Sequence, residues 1–177
     1  MHSDTQQLNF NLPNVDGSTV ELSSYSDQKG VILVFTCNHC PYAIAYEQRI
    51  IGLQNKYGNS GYPVVAICSN DAVKYPADSF DRMKEHAEQR GFNFPYLRDE
   101  SQDVAHAYHA ERTPHVFLVV PQNGSFEVVY EGAIDDNWEF ENEVKERYLE
   151  NALEAFEAGQ PVSLAKTPPV GCSMKWK

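Results

Sequence analysis

Val31-Ile32-Leu33-Val34-Phe35-Thr36-Cys37-Asn38-His39-Cys40-Pro41-Tyr42 decides how this chain folds. Its first five residues are an unbroken apolar run, two of them valine and one isoleucine, which suits a strand buried on both faces. Downstream, Tyr46, Ile50, Leu53 and Tyr57 recur at i, i+4, i+7 and i+11, one face of an amphipathic helix that Gly58 closes. Pro41 falls in the first turn of that helix, where its missing N–H costs little. The stretch therefore delivers two cysteines, spaced Cys-x-x-Cys, from a strand to a helix N-terminus. Unpaired N–H groups and the positive end of the helix dipole favour a thiolate there. Cys37 is expected to be the more exposed, attacking thiol, with a pKa below the free value of about 8.5. Cys40, one turn in, is expected to resolve the mixed disulfide.

Working outward, Phe10 and Leu12 alternate with polar residues, Asn14-Val15-Asp16-Gly17 is a turn, and Val20-Glu21-Leu22 returns, so a β-hairpin precedes the central strand. After the first helix, Pro63–Cys68 reads as a second buried strand. Asp78-Ser79 caps a helix with Phe80, Met83 and Ala87 inward and Gly91 at its end. Ser101 caps a short helix carrying Val104, Ala105 and Tyr108. Val116–Val120 is a third strand, turned at Pro121–Gly124 into Phe126–Tyr130. The last helix is expected to be capped by Asp135-Asp136-Asn137 and striped by Val144, Tyr148, Leu149, Ala152, Leu153 and Phe156. Strands separated by helices imply parallel pairing, and the final hairpin adds an antiparallel edge. The reading is one α/β domain over residues 1–177, with a core of about 8–158 and a tail over 159–177.

A net charge of −11 argues against nucleic-acid and anionic-membrane partners. No apolar run is long enough to span a bilayer. The polar start Met1–Gln7 carries no apolar signal region, so the expected compartment is the cytoplasm. Four cysteines in 177 residues are not a disulfide scaffold, and a Cys-x-x-Cys in a reducing compartment points to redox chemistry or to a metal. A structural zinc needs about four ligands, and no second Cys-x-x-Cys exists. A mixed site of Cys37, Cys40, Cys172 and a histidine stays open, for Zn²⁺ or Cu(I). Cys68 reads as a core thiol, and Trp176 as an anchor for the tail that carries Cys172.

Together, the strand with Cys-x-x-Cys, Thr113-Pro114 before the third strand, and the β-β-α ending resemble the thioredoxin superfamily. The opening hairpin and the extra helix near Val104 are similar to its peroxiredoxin-like branch, the alkyl hydroperoxide reductase/thiol-specific antioxidant (AhpC/TSA) proteins. Cys37–Tyr42, Ser69-Asn70-Asp71, Tyr75-Pro76, Gly132–Asn137 and Gly171–Trp176 resemble a bacterial thioredoxin-family subgroup. The resemblance implies a thioredoxin fold, a central mixed sheet flanked by helices. It implies a cis Pro114 against the cysteine pair, with Thr113 offering backbone hydrogen bonds to an extended partner. Asn38 and His39, between the cysteines, are expected to tune the pair, and Asn38 and Thr36 are assigned to substrate contact. Arg112 lies near where peroxiredoxins use an arginine, and Asp71 stands as a further proton-transfer candidate beside His39. Two departures stand out. No acid occupies Val31–Phe35, where thioredoxin carries a buried one, and the peroxidatic Pro-x-x-x-Thr-x-x-Cys pattern is missing.

The expected activity is thiol–disulfide exchange at Cys37 and Cys40, with no cofactor and no resident metal. The expected partners are protein or small-molecule disulfides and a thiol electron donor. The alternatives are a thiol peroxidase and a Cys/His metal-binding or carrier module.

Overall fold

A computed structural model describes residues 8–177, so the polar start Met1–Gln7 lies outside the described residues. Val31–Phe35 (β3) is the middle strand of a five-stranded sheet, and all five of its residues are buried. Val64–Cys68 (β4) and Tyr96–Arg98 (β5) extend the sheet on one side in parallel. His115–Gln122 (β7) and Ser125–Gly132 (β8) extend it on the other side as the expected antiparallel hairpin. The order is β5-β4-β3-β7-β8, the mixed thioredoxin-type sheet. β5 has no expectation behind it: it is three residues long and carries an arginine, too short for a periodic signal.

Alternation along the strands makes two cores. Ile32, Val34, Val64, Ala66, Val116 and Leu118 face Pro41–Tyr57 (α1), Phe80–Arg90 (α2) and Tyr148–Glu157 (α4). From α1 come Tyr46, Ile50, Leu53 and Tyr57, the stripe read from the sequence. Val31, Leu33, Phe35, Val65, Ile67 and Phe117 face Leu8, Phe10, Leu22 and the short helix Asp103–Tyr108 (α3). The opening hairpin, Asn11–Pro13 (β1) with Thr19–Glu21 (β2), closes the β5 edge through Asn14. Asn14 Oδ1 accepts from the Tyr96 N–H at 3.0 Å, and the Val15 N–H donates to the Tyr96 carbonyl at 3.1 Å. An open strand edge is thereby covered.

The last helix corrects the sequence reading. Asp135 does not cap it, and Val144 lies outside it, because α4 begins only at Tyr148. Asp135 is taken by α1 instead. Arg49 Nη1 donates to both of its carboxylate oxygens, at 3.0 and 2.8 Å, and the Tyr46 hydroxyl donates at 2.7 Å. The same guanidinium holds the carbonyls of Asn137 and Trp138 at 2.6 and 2.8 Å, which fixes residues 135–138 as a loop.

The tail folds back. Ala165–Thr167 bonds to Glu131 on β8: the Glu131 N–H donates to Ala165 O and the Thr167 N–H to Glu131 O, each at 3.0 Å. Farther on, Cys172–Ser173 (β9) pairs antiparallel with Arg112–Thr113 (β6), the two residues before Pro114. Met174 is buried in the second core, and Trp176 stacks on His106 of α3 at 4.3 Å.

Candidate active site

The chain turns at Thr36–Cys40 between β3 and α1, and this turn is the floor of the site. Cys37 Sγ accepts from the backbone N–H groups of His39 and Cys40 and lies 3.4 Å from Thr113 Oγ1. Cys40 is the N-cap of α1, extended at φ −78° and ψ 127°, and its Sγ lies 3.5 Å from the Thr113 carbonyl. The Thr113–Pro114 bond is cis. Residues 76 positions apart are thus brought together, with Thr113 touching both sulfurs.

The thiols differ from the expectation in three ways. Cys40 is joined to Cys172, with Cα atoms 6.3 Å apart, and Cys37 is a free thiol. Both Cys37 and Cys40 are covered, at 1% and 0% exposure, so Cys37 is not the exposed member. Nor is its pKa lowered. Burial pushes the thiol up to about 11, the Asp78 carboxylate adds to the shift, and the Thr113 and backbone hydrogen bonds only oppose it. The physical reason is that Cys37 precedes α1 by four residues. It receives two turn amides, while the tail strand and a buried anion surround it.

That anion is the residue the sequence reading missed. Asp78 is fully buried. Its Oδ1 accepts from the Asn38 N–H at 2.8 Å and its Oδ2 from Asn70 Nδ2 at 3.0 Å. His39 Nδ1 approaches Oδ2 at 2.8 Å, off the line of a hydrogen bond. The His39 ring is partly exposed and stacks on Tyr75 with planes 5° apart. The sequence offers Asp78 and Ser79 together as a helix cap, and Ser79 alone does that work, accepting from the Arg82 N–H at 3.3 Å. Two acceptors stand before one helix start that needs one, and this surplus was the available signal. Arg98, also buried, fixes the loop: Nη1 donates to the Asp78 carbonyl at 3.1 Å and Nη2 to the Asn70 carbonyl at 2.7 Å.

The other expected residues fall in distinct places. Asn38 is a strut: its Nδ2 donates to the Ala77 carbonyl at 2.9 Å and its Oδ1 accepts from the Tyr96 hydroxyl at 2.7 Å. Thr36 is buried, and its hydroxyl has no hydrogen-bond partner among the described residues. Asp71 and Arg112 hold the tail. The Asp71 N–H donates to the Lys175 carbonyl at 2.8 Å, and Arg112 Nη1 to the Gly171 carbonyl at 3.0 Å. Cys68 is a buried thiol under Arg98, as read. Cys37, His39 and Asp78 bring three donor atoms within 4.8 Å of one another. The four-ligand set of Cys37, Cys40, Cys172 and a histidine is broken up, because two of its sulfurs are bonded to each other.

His115, directly after Pro114, is 4% exposed, and its Nδ1 accepts from the Glu111 N–H at 3.1 Å. Burial holds its pKa down to about 4, against an ordinary 6.5. Above pH 6.5 the ring is neutral folded or unfolded, and this stability is complete. As pH falls from 6.5 to 4 only the unfolded chain takes up the proton, so roughly 3 kcal/mol is lost across that window. Urea unfolding of His115→Asn, which keeps an acceptor for Glu111, should show a correspondingly flatter loss than the wild type between pH 7 and 4. Equal slopes would refute the assignment.

The AhpC/TSA family profile matches residues 4–136. A comparison with curated proteins finds no match. Among solved structures, an uncharacterized conserved protein from Geobacillus kaustophilus is 39% identical, with a TM-score of 0.86 over 96% of this chain and 89% of its own. A hypothetical protein from Sinorhizobium meliloti is 32% identical, also at 0.86, over 96% and 91%. A peroxidoxin from Mycobacterium tuberculosis shares the fold at 19% identity and a TM-score of 0.63, over 85% and 92%. A family match of this extent, over a thioredoxin-type sheet that carries redox cysteines beside a cis-proline, makes this chain a member of the AhpC/TSA family of the thioredoxin superfamily.

Proposed function

We propose that the protein is a thiol–disulfide oxidoreductase working through Cys37 and Cys40. The observation that carries this reading is the placement of both sulfurs on Thr113, beside cis-Pro114, with one of them already in a disulfide to a strand paired with Thr113. In the reducing direction the Cys37 thiolate attacks a substrate disulfide, forming a Cys37–substrate bond and releasing one substrate thiolate. Cys40 then attacks Cys37, forming the Cys37–Cys40 disulfide and releasing the second thiolate. The electron donor is a thiol that reduces the oxidised enzyme back to its thiols by disulfide exchange. Protein disulfides suit the site, because an extended partner can take the β6 edge now held by β9.

His39 and Asp78 set when Cys37 is reactive. With the tail docked, Cys37 is a thiol at neutral pH. Titration by thiolate ultraviolet absorbance, on oxidised Cys68→Ser protein, should give a midpoint of about 11. Asp78→Asn removes a neighbouring negative charge and should lower that midpoint. A wild-type midpoint below 8.5 would contradict the structure's account of the thiol.

Insulin reduction by dithiothreitol tests the activity. Catalytic amounts of protein should accelerate it, and either Cys37→Ser or Cys40→Ser should remove the acceleration. A thiol peroxidase is the second reading, favoured by the family match alone. Rapid oxidation of Cys37 or Cys40 by peroxide, with no effect on insulin, would put it first.

A further inference from the structure

We propose that Cys172 is a third catalytic thiol, the terminus of an internal relay that runs from Cys37 through Cys40 to the C-terminal tail. The proposal deepens the oxidoreductase reading and rests on it. The step is a thiol–disulfide exchange: Cys37–S–S–Cys40 plus the Cys172 thiolate gives the Cys37 thiolate plus Cys40–S–S–Cys172. One S–S bond breaks, one forms, and no external oxidant or reductant is consumed. Cys172 gives its proton to water on ionising, and Cys37 takes one up on release.

Four observations point to a built position for this sulfur. First, Cys172 sits opposite Thr113 in the β6–β9 pair, on the edge where an extended substrate would lie. Second, Gly171 approaches so closely that a Cβ there would stand 2.1 Å from the Thr113 carbonyl oxygen, so only glycine fits before Cys172. Third, the tail is held on both sides of the cysteine by groups independent of the sulfur. On one side Thr167 Oγ1 meets the Tyr130 hydroxyl at 2.6 Å and accepts from the Ala133 N–H at 2.9 Å. On the other the Met174 N–H donates to Glu111 O at 2.9 Å, the Lys175 N–H to Asn70 Oδ1 at 2.9 Å, and Gln102 Nε2 to Lys175 O at 3.0 Å. Fourth, Cys40 is the one sulfur common to the redox pair and to the observed bond.

The consequences are mechanical as well as chemical. Tail and substrate compete for one edge, so the strand that receives the oxidising equivalent also closes the site once it has it. Cys37 is then covered and returned to the thiol form beside Asp78. The electron donor therefore meets a Cys40–Cys172 disulfide and not a Cys37–Cys40 one. Tethering makes the attack intramolecular and gives Cys172 an effective concentration at Cys40 on the order of millimolar.

Disulfide mapping tests this without a substrate. Fully reduced full-length protein is given one equivalent of diamide, quenched in acid, alkylated and mapped by mass spectrometry. The wild type should show mainly Cys40–Cys172, with Cys37 alkylated. Cys172→Ser should show Cys37–Cys40 instead. Gly171→Val keeps the thiol and removes the fit, and should cut the ratio of Cys40–Cys172 to Cys37–Cys40 by about tenfold or more, as a loss of about 1.4 kcal/mol of docking would do. A wild type that maps only as Cys37–Cys40, with Cys172 alkylated, overturns the relay, as does an unchanged ratio in Gly171→Val. If the wild type maps as expected but no form accelerates insulin reduction, the oxidoreductase reading falls and the internal exchange stands.

Discussion

Cys40→Ser should lose disulfide turnover by at least about a thousandfold, on the order of 4 kcal/mol of barrier. A hydroxyl cannot form an S–S bond, and Cys40 is the sulfur on which both disulfides depend, the proposed one to Cys37 and the observed one to Cys172. The loss should be chemical and not conformational. Cys40 is the N-cap of α1 and makes no side-chain capping bond, while serine is a preferred N-cap, so the helix start is preserved or improved. The comparison belongs in the reduced state. In the oxidised state the wild type also carries a cross-link spanning 132 residues, which on the loop-entropy account stabilises by about 5 kcal/mol. Insulin turnover and urea unfolding, measured together on reduced protein, separate the two effects. Retained turnover at more than a tenth of the wild-type rate would refute the role of Cys40.

Arg49→Ala should cost about 3–5 kcal/mol of stability, the range for breaking one side of a buried ion pair. Arg49 and Asp135 side chains are 8% and 6% exposed, and the guanidinium also satisfies the carbonyls of Asn137 and Trp138. Truncation leaves a buried carboxylate with Tyr46 and a single backbone N–H, that of Asn137, as partners. The melting temperature should fall by about 10 °C for a chain of this size. The 135–147 segment should loosen before the sheet, read as faster hydrogen exchange there than in β3. A drop below 1 kcal/mol, which suits an exposed pair, would contradict the burial argument.

The sequence made the strands and helices legible wherever periodicity ran for five residues or more. β3, α1, β4, α2 and the β7–β8 hairpin stand within a residue or two of their expected bounds. It misled at α4, because Asp135 can cap a helix or meet an arginine 86 positions away, and only tertiary structure chooses. The cysteine motif identified the chemistry but not the state. Exposure and pKa at Cys37 depend on Asp78 and on the returning tail, which are distant in sequence and carry no periodic signal. In the sequence Cys172 reads as a spare thiol, and the close fit of Gly171 to Thr113 is what places it at the site. Asn38 lies within the motif, which suggests substrate contact, and Arg112 lies near where peroxiredoxins use an arginine. The first braces the turn, and the second holds the tail.

Thiol exchange at Cys37 is tested most directly by mapping the adduct that reduced Cys40→Ser protein forms with a peptide disulfide. With the resolving sulfur removed, the mixed disulfide should accumulate on Cys37, the thiol held against Thr113. An adduct on Cys172 or Cys68 with Cys37 unmodified, or no adduct at all, would contradict the account.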